Sequence, residues 1–331
     1  MSAPLPTKYP FLEYAYVGDP QVTQEALFGS AIRALGKAWK VGVVSSAPLW
    51  TQLQQQLLDP TSLVLLSHTE DVPADLQLLL LDDLETDLQH SMRLHPGIRG
   101  KSHIMLTETD QTEDQVQDDM ELDLISVFRS THVFPEPEGQ IYAITGNGKG
   151  KTTSALGKAI SLAHGGNVAV VQWFKEKASG RLTWAINEHE FPSKLKQADA
   201  WQFFPTGAGF FGSPALDRVS GEEAAKIHRQ KALEGLEKAS ELLKSDISVL
   251  VLDELLDTLQ AVMPSLPSEL LSFSEVVDLL CAAQKANIPV VITGRSVPES
   301  LRERLVASTT ITSLRHPWAD QKRGAVSGLD Y

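Results

Sequence analysis

The sequence predicts an α/β fold in which a mostly parallel sheet is flanked by helices, in each of two similar units. Short apolar runs of strand length alternate along the 331 residues with segments whose apolar residues recur at helical spacing. One run, Ile247–Leu252, is apolar at nearly every position, as expected for a parallel sheet covered on both faces. Near the middle of the chain, a glycine- and lysine-rich loop joins such a run to a helical segment.

Each predicted element rests on its local pattern. The predicted strands are short apolar runs bounded by polar or turn-forming residues: Leu12–Val17, Val41–Val44, Leu63–Leu66, Leu76–Leu81, His103–Leu106, Ile247–Leu252, Ile288–Thr293 and Thr309–Thr312. The predicted helices have apolar residues on one side: Gln24–Leu35, Trp50–Leu58, Ser154–Leu162, Gly221–Lys244 and a short helix within Asp118–Phe128. We interpret Ser179–Leu195 as a loop and a helix that cover the ligand-binding site formed by the glycine- and lysine-rich loop.

The loop lies within Ile141–Thr153, which reads IYAITGNGKGKTT. Its glycines let backbone N–H groups converge on one point, and the following helix directs its positive end at the same point. Lys151 would add a charge on phosphates, and the Thr152 hydroxyl could ligate Mg²⁺. Three residues separate Gly146 from Gly150, one fewer than in the usual phosphate-binding loop (P-loop), and the class predicted is P-loop, RecA-like. The predicted phosphate-binding residues are Gly146, Asn147, Gly148, Lys149, Gly150, Lys151, Thr152 and Thr153.

Charged residues follow two of the predicted strands, at the end where parallel sheets bind ligands. Asp253 and Glu254 follow Ile247–Leu252, so either could hold Mg²⁺ with Thr152, directly or through water. The alternative role for these acids is capping of a helix. Arg295 follows another strand and is a candidate contact to triphosphate or ribose.

Composition excludes several classes of function. Residues 1–138 contain 8 Lys/Arg and 21 Asp/Glu, so they carry the whole net charge of −13, whereas residues 139–331 are balanced. An acidic chain of this kind argues against nucleic-acid binding. Cys281 is the only cysteine, which excludes an intrachain disulfide and suggests a reducing cytoplasm. No apolar run reaches 18 residues and no signal peptide is visible, so no membrane association is expected.

The two parts of the chain resemble each other, which suggests an internal repeat. Ala15–Val44 parallels Ala143–Val171, and Leu78–Glu85 parallels Val249–Leu256. The alternative is that any two parallel α/β segments look alike at this level. If the repeat is real, the first copy has lost its chemistry, because Asp19 would repel phosphate and the following proline lacks an N–H. The predicted division is a degenerate P-loop-like domain at 1–108, an acidic linker at 109–138 and a nucleotide-binding domain at 139–331.

Several motifs in the second part, in order, resemble the ATP:corrinoid adenosyltransferases of the CobA/CobO/BtuR type. The motifs that carry the resemblance cover about residues 139–331: GNGKGKTT, VAVVQWFK at Val168–Lys175, Pro205-Thr206-Gly207, VLVLDELLD at Val249–Asp257, VVITGR at Val290–Arg295 and the terminal GLDY. The resemblance implies that ATP binds on the loop and that Co(I) of a reduced corrinoid attacks the ribose C5′. Tripolyphosphate then leaves, and Lys151 and Arg295 are the expected catalytic residues.

The resemblance also suggests partners and one departure. Besides ATP, Mg²⁺ and the corrinoid, the resemblance is compatible with a flavoprotein partner that reduces the corrinoid. The family's catalytic domains work in pairs, so the first domain is interpreted as a built-in partner, giving either a monomer with an internal pseudo-dimer or a homodimer. Ala208 and Phe210 stand where the family has Phe and Trp beside the corrinoid, and a shift of register would let Phe210 and Phe211 substitute. Two other classes stay open: an NTPase that hydrolyses the γ-phosphate, and a nucleotide-binding scaffold without turnover.

Overall fold

The structure is a computed structural model, which describes residues 13–45, 47–66, 72–73, 75–82, 103–108, 124–132, 140–175, 186–207, 221–259 and 269–315. The strands are β1 Glu13–Gly18, β2 Val41–Val44, β3 Leu63–Leu65, β4 Leu78–Leu81, β5 His103–Glu108, β6 Leu124–His132, β7 Ile141–Thr145, β8 Val168–Gln172, β9 Trp201–Pro205, β10 Val249–Asp253, β11 Val290–Thr293 and β12 Ala307–Arg315. The helices are α1 Pro20–Gly36, α2 Pro48–Gln56, α3 Lys151–Ala163, α4 Gly221–Leu242, α5 Phe273–Lys285 and α6 Glu299–Arg302. Short 3₁₀ helices lie at Pro60–Ser62, Asn187–Lys194, Ala198–Ala200 and Leu255–Leu259.

The described strands form one twelve-stranded sheet in the order β3-β2-β4-β5-β1-β6-β12-β7-β11-β10-β8-β9. Every neighbouring pair is parallel except β6 and β12, which run antiparallel at the centre. The predicted α/β class with a mostly parallel sheet is therefore confirmed. In the part of the chain that the structure describes, no helix has the length and apolar character needed to cross a bilayer.

The first half of the sheet (β1–β6) and the second half (β7–β12) have the same strand order. Read outward from the centre, the order is β6-β1-β5-β4-β2-β3 in the first half and β12-β7-β11-β10-β8-β9 in the second. Phe128 of β6 lies opposite Ile311 of β12 in the central antiparallel pair. The two halves are thus related by an approximate two-fold axis through this pair, and the sequence parallels extend to the whole topology.

The segment before the second half differs from the prediction of a short helix within Asp118–Phe128. From Leu124 onward the chain is the strand β6, so that interpretation was wrong over the described part. β6 pairs with β1 on one side and β12 on the other. Its β-branched and aromatic residues, Ile125, Val127 and Phe128, favour a strand over a helix. The acidic residues that precede it lie outside the described residues.

Helices α1 and α3 pack against each other across the two-fold axis at very short range. A Cβ atom at Gly29 would lie 1.7 Å from the carbonyl oxygen of Thr153, and one at Gly157 would lie 1.6 Å from that of Glu25. The two contacts are reciprocal, and both positions accept only glycine at this separation. Around this contact, one hydrophobic cluster contains buried residues of both halves, including Phe28, Ile32, Leu156 and Val170. The two halves therefore share a core.

Candidate nucleotide and metal site

The glycine-lysine loop (residues 146–151) is held by backbone hydrogen bonds to the segment after β11 and to the middle of β12. The N–H of Gly146 donates to the carbonyl of Arg295 over 3.0 Å, and the N–H of Gly148 donates to that of Ile311 over 2.9 Å. Gly146 and Gly150 have φ angles of 108° and 113°, in the left-handed region that favours glycine. Because Gly150 immediately precedes α3, the loop ends at the positive end of that helix.

Both lysines of the loop are largely removed from water. Lys151 Nζ donates to the carbonyl of Gly148 over 3.0 Å, and burial lowers the pKa of Lys151. Burial, with a smaller contribution from the positive charge of Arg33, lowers the pKa of Lys149 to about 7. Poorly solvated ammonium groups gain more from an anionic ligand than exposed ones do, because little hydration is lost on binding. The loop is therefore electrostatically suited to a polyanion.

Behind the loop, the first turn of α3 is joined to the end of β10. Thr152 Oγ1 donates to Asp253 Oδ1 over 3.0 Å. Lys175 Nζ lies 2.7 Å from Asp253 Oδ2 and 3.3 Å from Thr152 Oγ1. The hydroxyl and the carboxylate thus converge on one positively charged group, and these hard oxygen donors are the kind that Mg²⁺ prefers. The residues present fit such an ion.

Asp253 is held as a carboxylate although it is fully buried. Burial raises the pKa of Asp253, but Lys175 and the hydrogen bonds to it lower that pKa to about 2. Thr293 Oγ1 donates to Asp253 Oδ1 over 2.7 Å, and Gln172 Nε2 donates to Oδ2 over 3.1 Å. Each carboxylate oxygen therefore has charged or polar partners at neutral pH.

The adjacent acid, Glu254, has a different character. Its φ angle of 64° is in the left-handed region, which is unusual for a residue with a side chain and is common at functional sites. Burial raises the pKa of Glu254 to about 7, and the nearby carboxylate of Asp253 adds to this effect. The two consecutive acids thus differ at neutral pH: one is a fixed anion and the other is near its titration midpoint.

Arg295 contacts the glycine-lysine loop through its backbone. Its N–H donates to Asp257 Oδ1 over 2.7 Å, and its carbonyl accepts from Gly146. The Arg295 side chain is exposed. Asp257 is a residue that sequence reasoning missed. It is buried, and burial raises its pKa. The signal that could have found it is its place at the end of the motif VLVLDELLD.

The structure brings most of the predicted site residues to one end of the second half of the sheet. Asn147 is exposed on the loop, whereas Thr153 is buried with its carbonyl against Gly29 of α1. Phe210 and Phe211, like the GLDY terminus, lie outside the described residues. Among the residues that the structure describes, no group of three or more His, Cys, Asp or Glu side chains is arranged to hold a metal ion.

The corresponding place in the first half is filled by the protein's own side chains. Asp82 directly follows β4 and corresponds in sequence to Asp253, the last residue of β10, and both acids are buried. Asp82 Oδ2 accepts hydrogen bonds from Gln24, Ser45 and Trp50 at 2.9, 2.7 and 3.0 Å. All three donors are neutral, in contrast to the charged Lys175 at Asp253.

The helix of the first half also begins differently. Asp19 precedes α1, and its carboxylate accepts from the backbone N–H of Gln21 over 3.0 Å. α1 begins at Pro20, directly after Asp19, whereas α3 begins at Lys151, after the third glycine of the loop. The N-terminus of α1 is thus capped by an acid of its own chain.

Fold and site together define the class: an α/β protein with an anion-adapted loop and a buried carboxylate at the carboxyl ends of parallel strands. Over residues 137–331 the sequence matches the family described as ATP:corrinoid adenosyltransferase BtuR/CobO/CobP, and the chain belongs to that family. The predicted family and the prediction of an enzyme of this kind are confirmed. The reaction of the family is adenosyl transfer from ATP to a corrinoid.

Individual relatives agree with the family assignment. A corrinoid adenosyltransferase from a Sinorhizobium species is 28% identical over 233 residues, which are 70% of this chain and 87% of the relative. The corrinoid adenosyltransferase CobA of Salmonella typhimurium is 31% identical over 197 residues, or 59% of this chain and 87% of the relative. The corrinoid adenosyltransferase of Escherichia coli K12 is 30% identical over the same length.

Proposed function

We propose that the second half transfers the 5′-deoxyadenosyl group of ATP to Co(I) of a reduced corrinoid and releases tripolyphosphate. The electron pair of Co(I) forms the cobalt–carbon bond at C5′, the C5′–O bond breaks, and its electron pair stays on the leaving tripolyphosphate. The observation that supports this reaction is the loop itself. It carries two poorly solvated lysines and leads directly into a helix N-terminus, and these groups would stabilise the charge that develops on the leaving group.

Each residue of the site has a role in this proposal. Lys149, Lys151 and the loop amides would bind the triphosphate, as in a P-loop of the RecA-like class. Thr152 and Asp253 would hold Mg²⁺, with Glu254 as a further ligand directly or through water; the bound ion would neutralise charge on the phosphates. The exposed side chain of Arg295 would stabilise the leaving group. Because no group of three or more His, Cys, Asp or Glu in the described part of the chain suits a metal ion, phosphate oxygens and water would complete the coordination.

The assignment of corrinoid-binding residues is supported by family membership alone. Phe210 and Phe211 are proposed to contact the corrinoid near its lower ligand. A flavoprotein that reduces the corrinoid is a proposed partner. The single cysteine, Cys281, fits a reducing compartment, so a cytoplasmic location belongs to the same proposal.

We further propose that the first half is a degenerate copy of the nucleotide domain that binds no triphosphate. Three observations support this. Its strand order repeats that of the second half, its buried acid Asp82 accepts hydrogen bonds from neutral donors, and Asp19 caps the N-terminus of α1. In this proposal the first half replaces a second subunit, and the chain works as a monomer.

The proposed reaction is tested by anaerobic incubation of the full chain with ATP, Mg²⁺ and chemically reduced cobalamin. The expected result is the optical spectrum of a Co–C bond together with tripolyphosphate as the product. Release of inorganic phosphate without Co–C bond formation would instead assign the chain to the NTPases. ATP binding with no turnover under these conditions would indicate a nucleotide-binding scaffold.

A further inference from the structure

A buried ion pair connects the first half of the chain to the site of the second half. Arg33 on α1 places a guanidinium nitrogen 3.2 Å from Glu188 Oε1. Glu188 lies in the 3₁₀ helix Asn187–Lys194, and the two side chains are 8% and 0% exposed. Burial raises the pKa of Glu188, but Arg33 and Lys175 outweigh this effect and lower it. Glu188 is therefore an anion that depends on its cationic neighbours.

The ion pair continues into the metal and phosphate site. Lys175 Nζ lies 3.8 Å from Glu188 Oε1 and 2.7 Å from Asp253 Oδ2. Gln172 Nε2 donates to both carboxylates, at 3.4 Å to Glu188 and 3.1 Å to Asp253. The charges thus alternate from Arg33 to Asp253, and Lys175 is shared between two acids. Its position beside Asp253 and Thr152 depends on how strongly Glu188 attracts it.

The ion pair of Arg33 has no equivalent across the approximate two-fold axis, because the corresponding position in α3 carries a different residue. Gly29 and Gly157 make reciprocal contacts across the axis, so they occupy equivalent positions in α1 and α3. The same separation along the chain makes Ser161 of α3 the counterpart of Arg33. A serine supplies no charge to the first half, where Asp82 accepts from neutral donors. At this pair of equivalent positions, the cation is therefore on α1, on the side of the site that retains the glycine-lysine loop.

We propose that Arg33 is a positioning residue of the nucleotide site, supplied by the half that has lost its own site. Arg33 compensates the negative charge of Glu188, so Lys175 stays in contact with Asp253 and Thr152. Without Arg33, the buried carboxylate of Glu188 would draw Lys175 away from Asp253, since an uncompensated buried charge is strongly unfavourable. Thr152 and Asp253 would then lose the ammonium group that contacts both of them. This inference rests on the proposed binding of ATP with Mg²⁺ at that site.

The test uses the full chain and measures ATP affinity by calorimetry with Mg²⁺ present. Arg33→Met is expected to weaken binding about tenfold, as for loss of a supporting partner around a metal site. Adding Glu188→Gln in the same chain is expected to restore most of the affinity, because a neutral amide no longer competes for Lys175. Glu188→Gln also removes the uncompensated buried charge, so the unfolding temperature is measured in both variants. A purely structural role of Arg33 would change and restore the unfolding temperature without changing the ATP affinity of the folded chain. If Arg33→Met proves too unstable to purify, Arg33→Lys, which keeps the charge on a shorter reach, is expected to show a smaller loss that Glu188→Gln again reduces.

The matched control is Glu25→Gln. Glu25 pairs with Lys158 over 3.1 Å across the same α1–α3 contact, and it is also buried, but the charge chain does not include it. This variant is expected to lower the unfolding temperature and to leave ATP affinity unchanged. Equal affinity in Arg33→Met, Glu25→Gln and the unmodified chain would overturn the inference while the proposed function stands, and so would a failure of Glu188→Gln to restore affinity. Absence of ATP binding in the unmodified chain would overturn both.

Discussion

Thr152 Oγ1 lies 3.0 Å from Asp253 Oδ1, so the start of α3 and the end of β10 are joined directly by their side chains. These two groups come from segments separated by 101 positions along the chain. Their distance is fixed by the sheet, because β7 and β10 both flank β11. The proposed metal ligands are therefore positioned by the scaffold, which reduces the cost of ordering them when a nucleotide binds.

Asp253→Asn should weaken Mg²⁺-dependent ATP binding about 10- to 100-fold, because the amide removes the fixed negative charge and offers one oxygen. Calorimetry with Mg²⁺ and with a chelator measures the effect. Asp82→Asn is the matched control, since it changes the equivalent acid of the first half. That variant should lose stability and keep its affinity, and a comparable loss of affinity in both variants would contradict the assignment.

Lys151→Ala should abolish detectable ATP binding, because it removes the positive charge that the loop holds beside its own backbone. Lys158→Met serves as the control on the same helix, where the lysine pairs with Glu25 away from the loop. Normal ATP affinity by calorimetry in Lys151→Ala would refute the assignment of the loop.

ATP binding should take up protons above neutral pH. The pKa of Lys149 is about 7 in the free protein, and a bound polyanion would raise it. Between these two values the bound form carries more protons, so affinity should decline as pH rises from about 7. Calorimetry at pH 8 in buffers of different ionisation enthalpy measures the uptake. Lys149→Met should remove most of it, and an unchanged uptake in that variant would assign the proton to another group.

Gly29→Ala and Gly157→Ala should each destabilise the fold by about 3 kcal/mol or more, because a methyl group cannot fit within 1.7 Å of a carbonyl oxygen and the helices must separate. Gly165→Ala is the control. A Cβ there meets nothing within 4 Å, and its φ of 86° gives a penalty of about 1 kcal/mol. Denaturant unfolding measures all three, and similar losses would show that the helices are more loosely packed than described.

The purified chain should have a solution mass near its 36.2 kDa monomer, because the strand β12 already pairs with β6 of the same chain. Light scattering coupled to size exclusion measures this. A stable dimer whose two copies meet through their second halves would show that the first half does not replace a subunit.

Local patterns were sufficient to predict where the glycine-lysine loop, Thr152 and the acid at the end of β10 lie in the fold. Each of these features follows from a short stretch whose strand, turn and helix signals are contiguous. The fold class could be predicted for the same reason, since alternating strand and helix patterns favour a parallel sheet. The strand order, which repeats in the two halves, supports the sequence parallels noted between Ala15–Val44 and Ala143–Val171.

Residues that act through distant contacts could not be found in this way. Arg33 and Glu188 are separated by 155 positions, and no local pattern indicates that they meet. Lys175 belongs to a recognised motif, but its role depends on the convergence of Thr152 and Asp253. The strand Leu124–His132 was missed because the acidic residues ahead of it suggested a linker. Its place in the sheet depends on partners on both sides.

The central pairing of β6 with β12 joins two like halves within a single polypeptide. In an assembly of identical subunits, any substitution enters both copies at once, so a residue that helps across the contact must be tolerated in both. Here the counterparts Arg33 and Ser161 can differ. The donors to the two buried acids can differ as well, with Lys175 at Asp253 and Trp50 at Asp82. Covalent fusion therefore permits a division of labour that exact symmetry forbids, with one half specialised for chemistry and the other for support.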